Sequence, residues 1–208
     1  MQLTVHEFLT LDGVMQGPGG PDEDASGGFT AGGWGVPWFD DETGAIVDTW
    51  FARTEAVLLG RSTWEMMRPY WIQVTDPDNR VATVLNTFPK HVVTSSPLTP
   101  EWGDSRAITL DDVAKLKEQD GGELQVHGSW KLANALHAAG LVDEYRLIVF
   151  PVTVGAGKRL FTDDAPATGF TLAETRATPS GAVYSVLTPA PFHTGEFIVT
   201  EGGSEAKL

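Results

Sequence analysis

The 208-residue chain has no cysteine. That excludes a disulfide framework, a thiol nucleophile and a thiolate metal site. Cations are also scarce: 14 lysines and arginines face 28 aspartates and glutamates, for a formal net charge of −14. With no compensating basic run, nucleic acid and anionic membrane are excluded as partners, although a local basic pocket for a small phosphate is not. No apolar run approaches the about 20 residues of a membrane helix. The opening Met1-Gln2-Leu3-Thr4-Val5-His6-Glu7 lacks the basic segment and apolar centre of a signal peptide. His6, His91, His137 and His193 show no metal-ligand spacing, so no metal is expected. The reading is a soluble, cytoplasmic protein with one main domain.

The stretch Ala56-Val57-Leu58-Leu59-Gly60-Arg61-Ser62-Thr63-Trp64-Glu65 carries the most information. Its short, unalternating apolar run reads as a strand covered on both faces, leading straight into a helix. Ser62 is expected to cap that helix, with Glu65 completing a capping box. Free N–H groups, a positive dipole end and the Arg61 guanidinium then converge, which makes a seat for a phosphate. A merely solvated arginine at a strand end fits the local pattern equally well.

Residues 2–9 read as a first strand, closed by Leu11-Asp12-Gly13. Residues 13–38 form a Gly/Pro-rich loop, and Trp34 and Trp38 suit a lid that packs on something or stacks on a planar substrate. Asp40 or Asp41 caps a helix with Ile46, Val47, Trp50 and Phe51 at helical spacing. Residues 62–69 read as helix stopped by Pro69, and 81–87 as either helix or strand. Residues 90–95 read as a buried strand ending in Thr94-Ser95-Ser96. Thr109 caps a further helix, closed by Gly121-Gly122. Residues 123–126 form a strand leading to His127-Gly128-Ser129 and a helix from Trp130 to Ala139. Residues 143–152 form another strand, able to serve either as central core or as a dimer face. Residues 170–175 and 182–187 pair antiparallel. This predicts an α/β domain over residues 1–190, with a mainly parallel central sheet, antiparallel edge strands and flanking helices, and an appendage over 191–208. Ligands collect at the carboxyl ends of such strands. Three of those ends, at Gly60–Thr63, Thr94–Ser96 and His127–Ser129, carry hydroxyls or free N–H groups. None matches GxGxxG or the P-loop, which disfavours a standard Rossmann or NTPase reading.

Gly60-Arg61-Ser62-Thr63-Trp64-Glu65 resembles the Gly-Arg-x-Thr-(Trp/Tyr)-Glu segment of dihydrofolate reductase. Leu11-Asp12-Gly13, Gly128-Ser129, Ala139-Gly140-Leu141-Val142-Asp143-Glu144 and Gly155-x-Gly157-Lys158-Arg159-Leu160-Phe161 resemble segments of the related riboflavin-biosynthesis reductase domain, in the same order. The likeness covers roughly residues 2–188 and is strongest to small stand-alone bacterial proteins of the dihydrofolate reductase-like superfamily. It implies that fold and NADPH as cofactor. By resemblance, Arg61 with Thr94, Ser95 or Ser96 holds the adenosine 2′-phosphate. Gly60, Ser62 and Thr63 face the pyrophosphate, and His127, Gly128, Ser129 and Trp130 line its other end. One departure stands out: His127 replaces the first glycine of the family's Gly-Gly turn, which suits a core or turn histidine better than a ligand.

The reaction implied is hydride transfer to a small pterin- or aminopyrimidine-like substrate. It is either dihydrofolate reductase-like or of the 5-amino-6-(5-phosphoribosylamino)uracil reductase type, which reduces a ribosyl to a ribityl group. No deaminase zinc motif precedes the reductase-like segments, so a bifunctional enzyme is not expected. The proton donor is sought among Asp41, its neighbours Asp40 and Asp48, and Asp12; the competing role for each is a cap, a surface charge or a turn. A substrate phosphate would have Lys158 and Arg159 available. The alternatives are a non-catalytic NADPH-binding or regulatory protein and a flavin-binding reductase. Relatives often pair, so a homodimer is an expectation too.

Overall fold

The computed structural model describes residues 1–99 and 102–207. The elements run β1 (Gln2–Thr10), α1 (Asp41–Phe51), β2 (Thr54–Gly60), α2 (Arg61–Trp71), α3 (Arg80–Thr87), β3 (Lys90–Val93), β4 (Ser105–Ile108), α4 (Leu110–Lys117), β5 (Glu123–His127), α5 (Trp130–Ala138), β6 (Glu144–Phe150), β7 (Gly169–Ala177), β8 (Val183–Ala190), β9 (Glu196–Thr200) and β10 (Gly203–Lys207). The first eight strands form one sheet in the order β4-β3-β2-β5-β1-β6-β8-β7. Pairing is parallel from β4 to β6, while β8 runs antiparallel to both β6 and β7. This is the mainly parallel sheet with an antiparallel edge that the apolar runs predict.

Both faces of the sheet are covered, so its central strands are buried along nearly all their length, with β2 largely apolar and β1 and β5 also carrying buried polar residues such as His6, Gln125 and His127. On one face Ile46 and Trp50 of α1, Trp64 of α2 and Leu85 of α3 close over Val57, Leu59 and Phe150. On the other, Val113 of α4 and Leu132 and Leu136 of α5 close over Leu3, Val5, Leu58 and Val126. The neighbouring strands β2 and β5 therefore send their following helices to opposite faces. A crevice opens at such a switch point, outside the carboxyl ends of the two strands.

Several local expectations are corrected. Helix α2 starts at Arg61, with Gly60 as its N-cap and no side-chain cap bond, so Ser62 does not cap it and Glu65 pairs with Arg61 instead. Pro69 lies inside α2, which ends two residues later, because the missing N–H forfeits one bond without blocking the next. Residues 81–87 belong to a helix, whose N-cap Asn79 accepts from the Ala82 N–H. Strand β4 carries no sequence signal: its half-exposed Ser-Arg-Ala-Ile pairs only with β3 at the sheet edge. Strand β6 lies between β1 and β8, in the interior of the sheet, as the core alternative for this segment has it. Beyond residue 190 the chain forms the β9–β10 hairpin, a separate two-stranded sheet.

Candidate active site

Two helix N-termini meet over the crevice. The Ser129 hydroxyl accepts from the Gly60 N–H at 2.7 Å and donates to the Thr63 hydroxyl at 2.6 Å. The start of α5 is thereby tied to the start of α2. Neither helix has a side-chain N-cap bond, so their first N–H groups remain for an anion. The geometry requires the small residues found there. A Cβ on Gly60 would come within 2.6 Å of Ser129 Oγ, and one on Gly128 within 3.1 Å of Thr63 Cγ2. Gly128 and Ser129 both have positive φ, 74° and 72°, and Ser129 is the sole non-glycine to do so among the described residues. A serine held in that conformation stores strain of the kind found at binding sites. The His127–Gly128 peptide is trans.

Arg61 lies at the β3 side of this cradle. Its guanidinium donates to Glu65 Oε1 at 2.7 Å and to the Pro97 carbonyl at 2.8 Å. Thr94 accepts from the Ser96 N–H, and Ser95 and Ser96 are exposed beside it. Gly60, Arg61, Ser62, Thr63, Thr94–Ser96, Gly128, Ser129 and Trp130 thus line one edge of the sheet. His127 contributes only backbone there. Its ring lies on the α1 face, stacked on Phe51 at 4.4 Å, with Nε2 3.0 Å from Gln125 Oε1. Burial and the Arg146 charge push it down to about 3, so it is neutral at ordinary pH.

His127 belongs to a buried polar ladder that the sequence did not announce. His6 lies 4.9 Å from it, Gln125 donates to Glu123, and Glu123 takes a two-pronged contact from Arg146. Arg53 also reaches Glu123, at 2.6 Å. The ladder ends at a cavity of about 220 Å³ lined by Trp50, Arg53, Arg146, Arg176 and Tyr184.

The four aspartates sought as proton donors have diverse positions. Asp41 is exposed in the first turn of α1. Asp40 caps that helix, accepting from Thr43 and, through its other oxygen, from the Ser180 N–H. Asp48 pairs with Arg80 on the surface. Asp12 shapes a turn: it accepts from the Thr10 hydroxyl and from the Val154 and Gly155 N–H groups. Burial works to raise its carboxyl, but these donors hold it below the usual range. Trp34 is buried and donates to the Gln16 carbonyl, fastening the loop, while Trp38 packs half-buried on the same core. Lys158 reaches Asp24 and Ser26, and Arg159 reaches the Asp12 and Gly155 carbonyls. Both cations are engaged with loops rather than left facing a ligand. Among the described residues no group of His, Asp or Glu could hold a metal.

One acidic residue escaped the sequence reading. Glu7 sits on the buried face of β1, between Val5 and Leu9, with 5% exposure. Its Oε1 accepts from the Gly128 N–H at 3.1 Å. Burial pushes its carboxyl well above the ordinary range, against the smaller effect of that bond. The signal was available: β1 alternates Leu3, Val5, Glu7, Leu9 on one face, and a carboxylate there breaks the pattern.

Crevice, cradle and sheet order together define a dihydrofolate reductase-like fold. Within that class, the chain belongs to the RibD C-terminal domain family, whose model matches residues 1–184. It is 28% identical over 185 residues to the uncharacterized protein YyaP of Bacillus subtilis strain 168, covering 86% of this chain and 89% of that one. Solved structures share the fold. A candidate riboflavin biosynthesis protein from Shewanella sp. PV-4 is 18% identical with a TM-score of 0.65, covering 92% of this chain and all of that one. Dihydrofolate reductase from Enterococcus faecalis, complexed with NADP(H), is 13% identical with a TM-score of 0.60, covering 91% and 97%.

Proposed function

We propose that this protein is an NADPH-dependent reductase that transfers a hydride to a small heterocyclic substrate of the pterin or aminopyrimidine type used in riboflavin synthesis. The observation that carries the reading is the Ser129 staple, which presents two uncapped helix N-termini to one point. A pyrophosphate fits such a site, because its charge meets aligned N–H groups and two positive dipole ends. Gly60, Ser62, Thr63, Gly128, Ser129 and Trp130 would hold it. Arg61, with Thr94, Ser95 and Ser96, would take the 2′-phosphate, the guanidinium exchanging Glu65 for the ligand. When bound, the dihydronicotinamide supplies the hydride. Asp41 and Asp12 remain the carboxylates proposed from sequence for proton supply.

A second reading, a dinucleotide-binding protein without turnover, draws on a specific feature. Phe8, Trp34, Trp50 and Phe150 pack together between α1 and the sheet and fill that space with side chains. Titration with NADPH and NADH, followed by tryptophan fluorescence, tests the shared premise. NADPH oxidation against a panel of pterins and aminopyrimidines separates the two. Binding with turnover supports the reductase; binding with none across the panel supports the second reading; no binding of either nucleotide overturns both.

A further inference from the structure

The cavity at the end of the buried ladder is a site apart from the crevice. It lies between the last turn of α1 and strands β6, β8 and β7, and is lined by Trp50, Arg53, Arg146, Arg176, Tyr184 and Glu174. Arg53 directly precedes β2, Glu123 opens β5 and Arg146 is near the start of β6, so the cavity is at the amino ends of the parallel strands. The Gly60–Ser129 cradle is at their carboxyl ends. The 7 residues of β2 separate the two, about 20 Å at ~3.3 Å per residue.

Cations are scarce in this chain, yet three of its 14 lysines and arginines line this one cavity. Arg146 is fully engaged, bonded to Glu123 at two points and to Glu144. Glu123 must also serve Arg53, at 2.6 Å. Arg176 reaches Glu42 at 2.7 Å, and Glu174 only at 3.7 Å. Arg53 and Arg176 are half-exposed, and each guanidinium has more N–H donors than carboxylate partners.

An orphaned donor completes the set. Among the described residues three buried side-chain nitrogens have no hydrogen-bond partner, and two of them meet here. One is Trp50 Nε1, on a residue 3% exposed; the other is His6 Nδ1, whose ring meets Trp50 edge-on at 5.0 Å. The indole N–H only donates. It comes near the Tyr184 hydroxyl, which burial raises against the influence of that N–H, but it closes no bond to it. A buried donor is normally satisfied. The unmet nitrogens on the cavity wall are all donors, so the missing partner is rich in acceptors.

We infer that this cavity binds a small oxyanion, a phosphate or a carboxylate, held by the Arg53 and Arg176 guanidiniums with the Trp50 N–H donating to one of its oxygens. Planar guanidiniums match the paired oxygens of either group. The cavity volume of about 220 Å³ has room for both. The site goes beyond the dinucleotide reading and does not depend on it.

The test uses isotope-labelled protein, with the Trp50 indole N–H resonance assigned through Trp50→Phe. Inorganic phosphate and malonate are titrated separately at constant ionic strength, with sodium chloride as the control. The Trp50 signal is expected to move and saturate with at least one of the two anions, in wild type and equally in Arg61→Ala, which lacks the crevice arginine. Saturation with phosphate alone, malonate alone or both identifies the source. Arg53→Gln and Arg176→Gln should each raise the apparent Kd at least ~10-fold, as loss of one charge-assisted bond does. Arg176 bonds to no member of the buried ladder, so its variant decides if Arg53→Gln does not fold. No saturable movement with either anion, movement equal to that in sodium chloride, loss of the response in Arg61→Ala, or unchanged affinity in Arg176→Gln overturns the proposal.

Discussion

Ser129 Oγ stands 2.6 Å from Thr63 Oγ1, a contact between residues 66 positions apart that joins the starts of two helices on opposite faces of the sheet. Everything placed at the crevice depends on it. The backbone strain of a left-handed serine, about 1–3 kcal/mol, is tolerated because the hydroxyl also satisfies the Gly60 N–H.

Gly60→Ala tests the cradle directly. The new methyl would lie 2.6 Å from Ser129 Oγ and must displace it. The variant is expected to lose about 1–3 kcal/mol of stability, as overpacked sites do. Its affinity for NADPH should fall at least ~10-fold, since the N–H groups at the two helix starts no longer converge. Urea denaturation and fluorescence titration on one preparation read both effects. Wild-type affinity in a variant that still folds would refute the cradle.

Arg61→Ala tests the phosphate end. A charge-assisted hydrogen bond contributes about 1.5–3 kcal/mol, roughly 10- to 150-fold in binding. NADPH should weaken by that factor and NADH hardly at all. Loss of the surface pair with Glu65 should cost stability little, because exposed i,i+4 pairs contribute only ~0.3–0.5 kcal/mol. Equal weakening of both nucleotides would remove Arg61 from the 2′-phosphate.

The histidine ladder predicts how stability follows pH. His127 is held down to about 3, whereas an unfolded chain titrates near ~6.5. Between those values the unfolded state binds the extra proton, so acid favours unfolding. Stability from this group is complete above ~6.5 and is lost as pH falls towards 3, at up to ~1.4 kcal/mol per pH unit. His127→Gln should flatten the Tm profile between pH 6.5 and 4. A profile of unchanged slope would mean that His127 protonates freely in the fold.

Glu7 carries the opposite sign. Its folded titration is raised, so the unfolded state ionises first as pH rises, and folding is penalised above the ordinary glutamate range. Glu7→Gln removes the penalty and should raise Tm at pH 8 more than at pH 4. A lower Tm at pH 8 would show the carboxyl to be a structural support.

Arg146 and Glu123 are almost wholly buried and bonded at two points. Removing Arg146 leaves buried Glu123 with only the largely exposed Arg53 as a cationic partner, at a cost approaching the about 3–5 kcal/mol of a broken buried pair. Arg146→Met alone should show that loss in denaturant. Arg146→Met with Glu123→Leu should recover a large part of it.

Much of this was legible. The run from Ala56 to Gly60 is apolar on both faces, which points to a covered, parallel sheet. Thr109 stands at the N-cap of α4 as its place in the sequence suggests, and Asp112 accepts from its N–H and hydroxyl. Two kinds of feature stayed hidden. Strand β4 is recruited by its neighbour rather than by its own side chains, so Ser105–Ile108 has no period to read. The ladder from His6 to Arg146 depends on register across three strands, and register is not written in any one of them. Glu7 was visible as a break in alternation, but its meaning appears only once Gly128 is placed against it.

The place of β1 has a consequence for biosynthesis. It pairs with β5 and β6, and Gln2 is opposite Glu123. At ~5–20 residues per second, a ribosome needs on the order of ten seconds to deliver the first strand's earliest neighbour. Through that interval Leu3, Val5 and Leu9 have no sheet to join, and the crevice has no second wall. The centre of the protein is begun first and completed late, so a chaperone that shields apolar nascent strands should bind this chain before Glu123 emerges and leave it soon after β6.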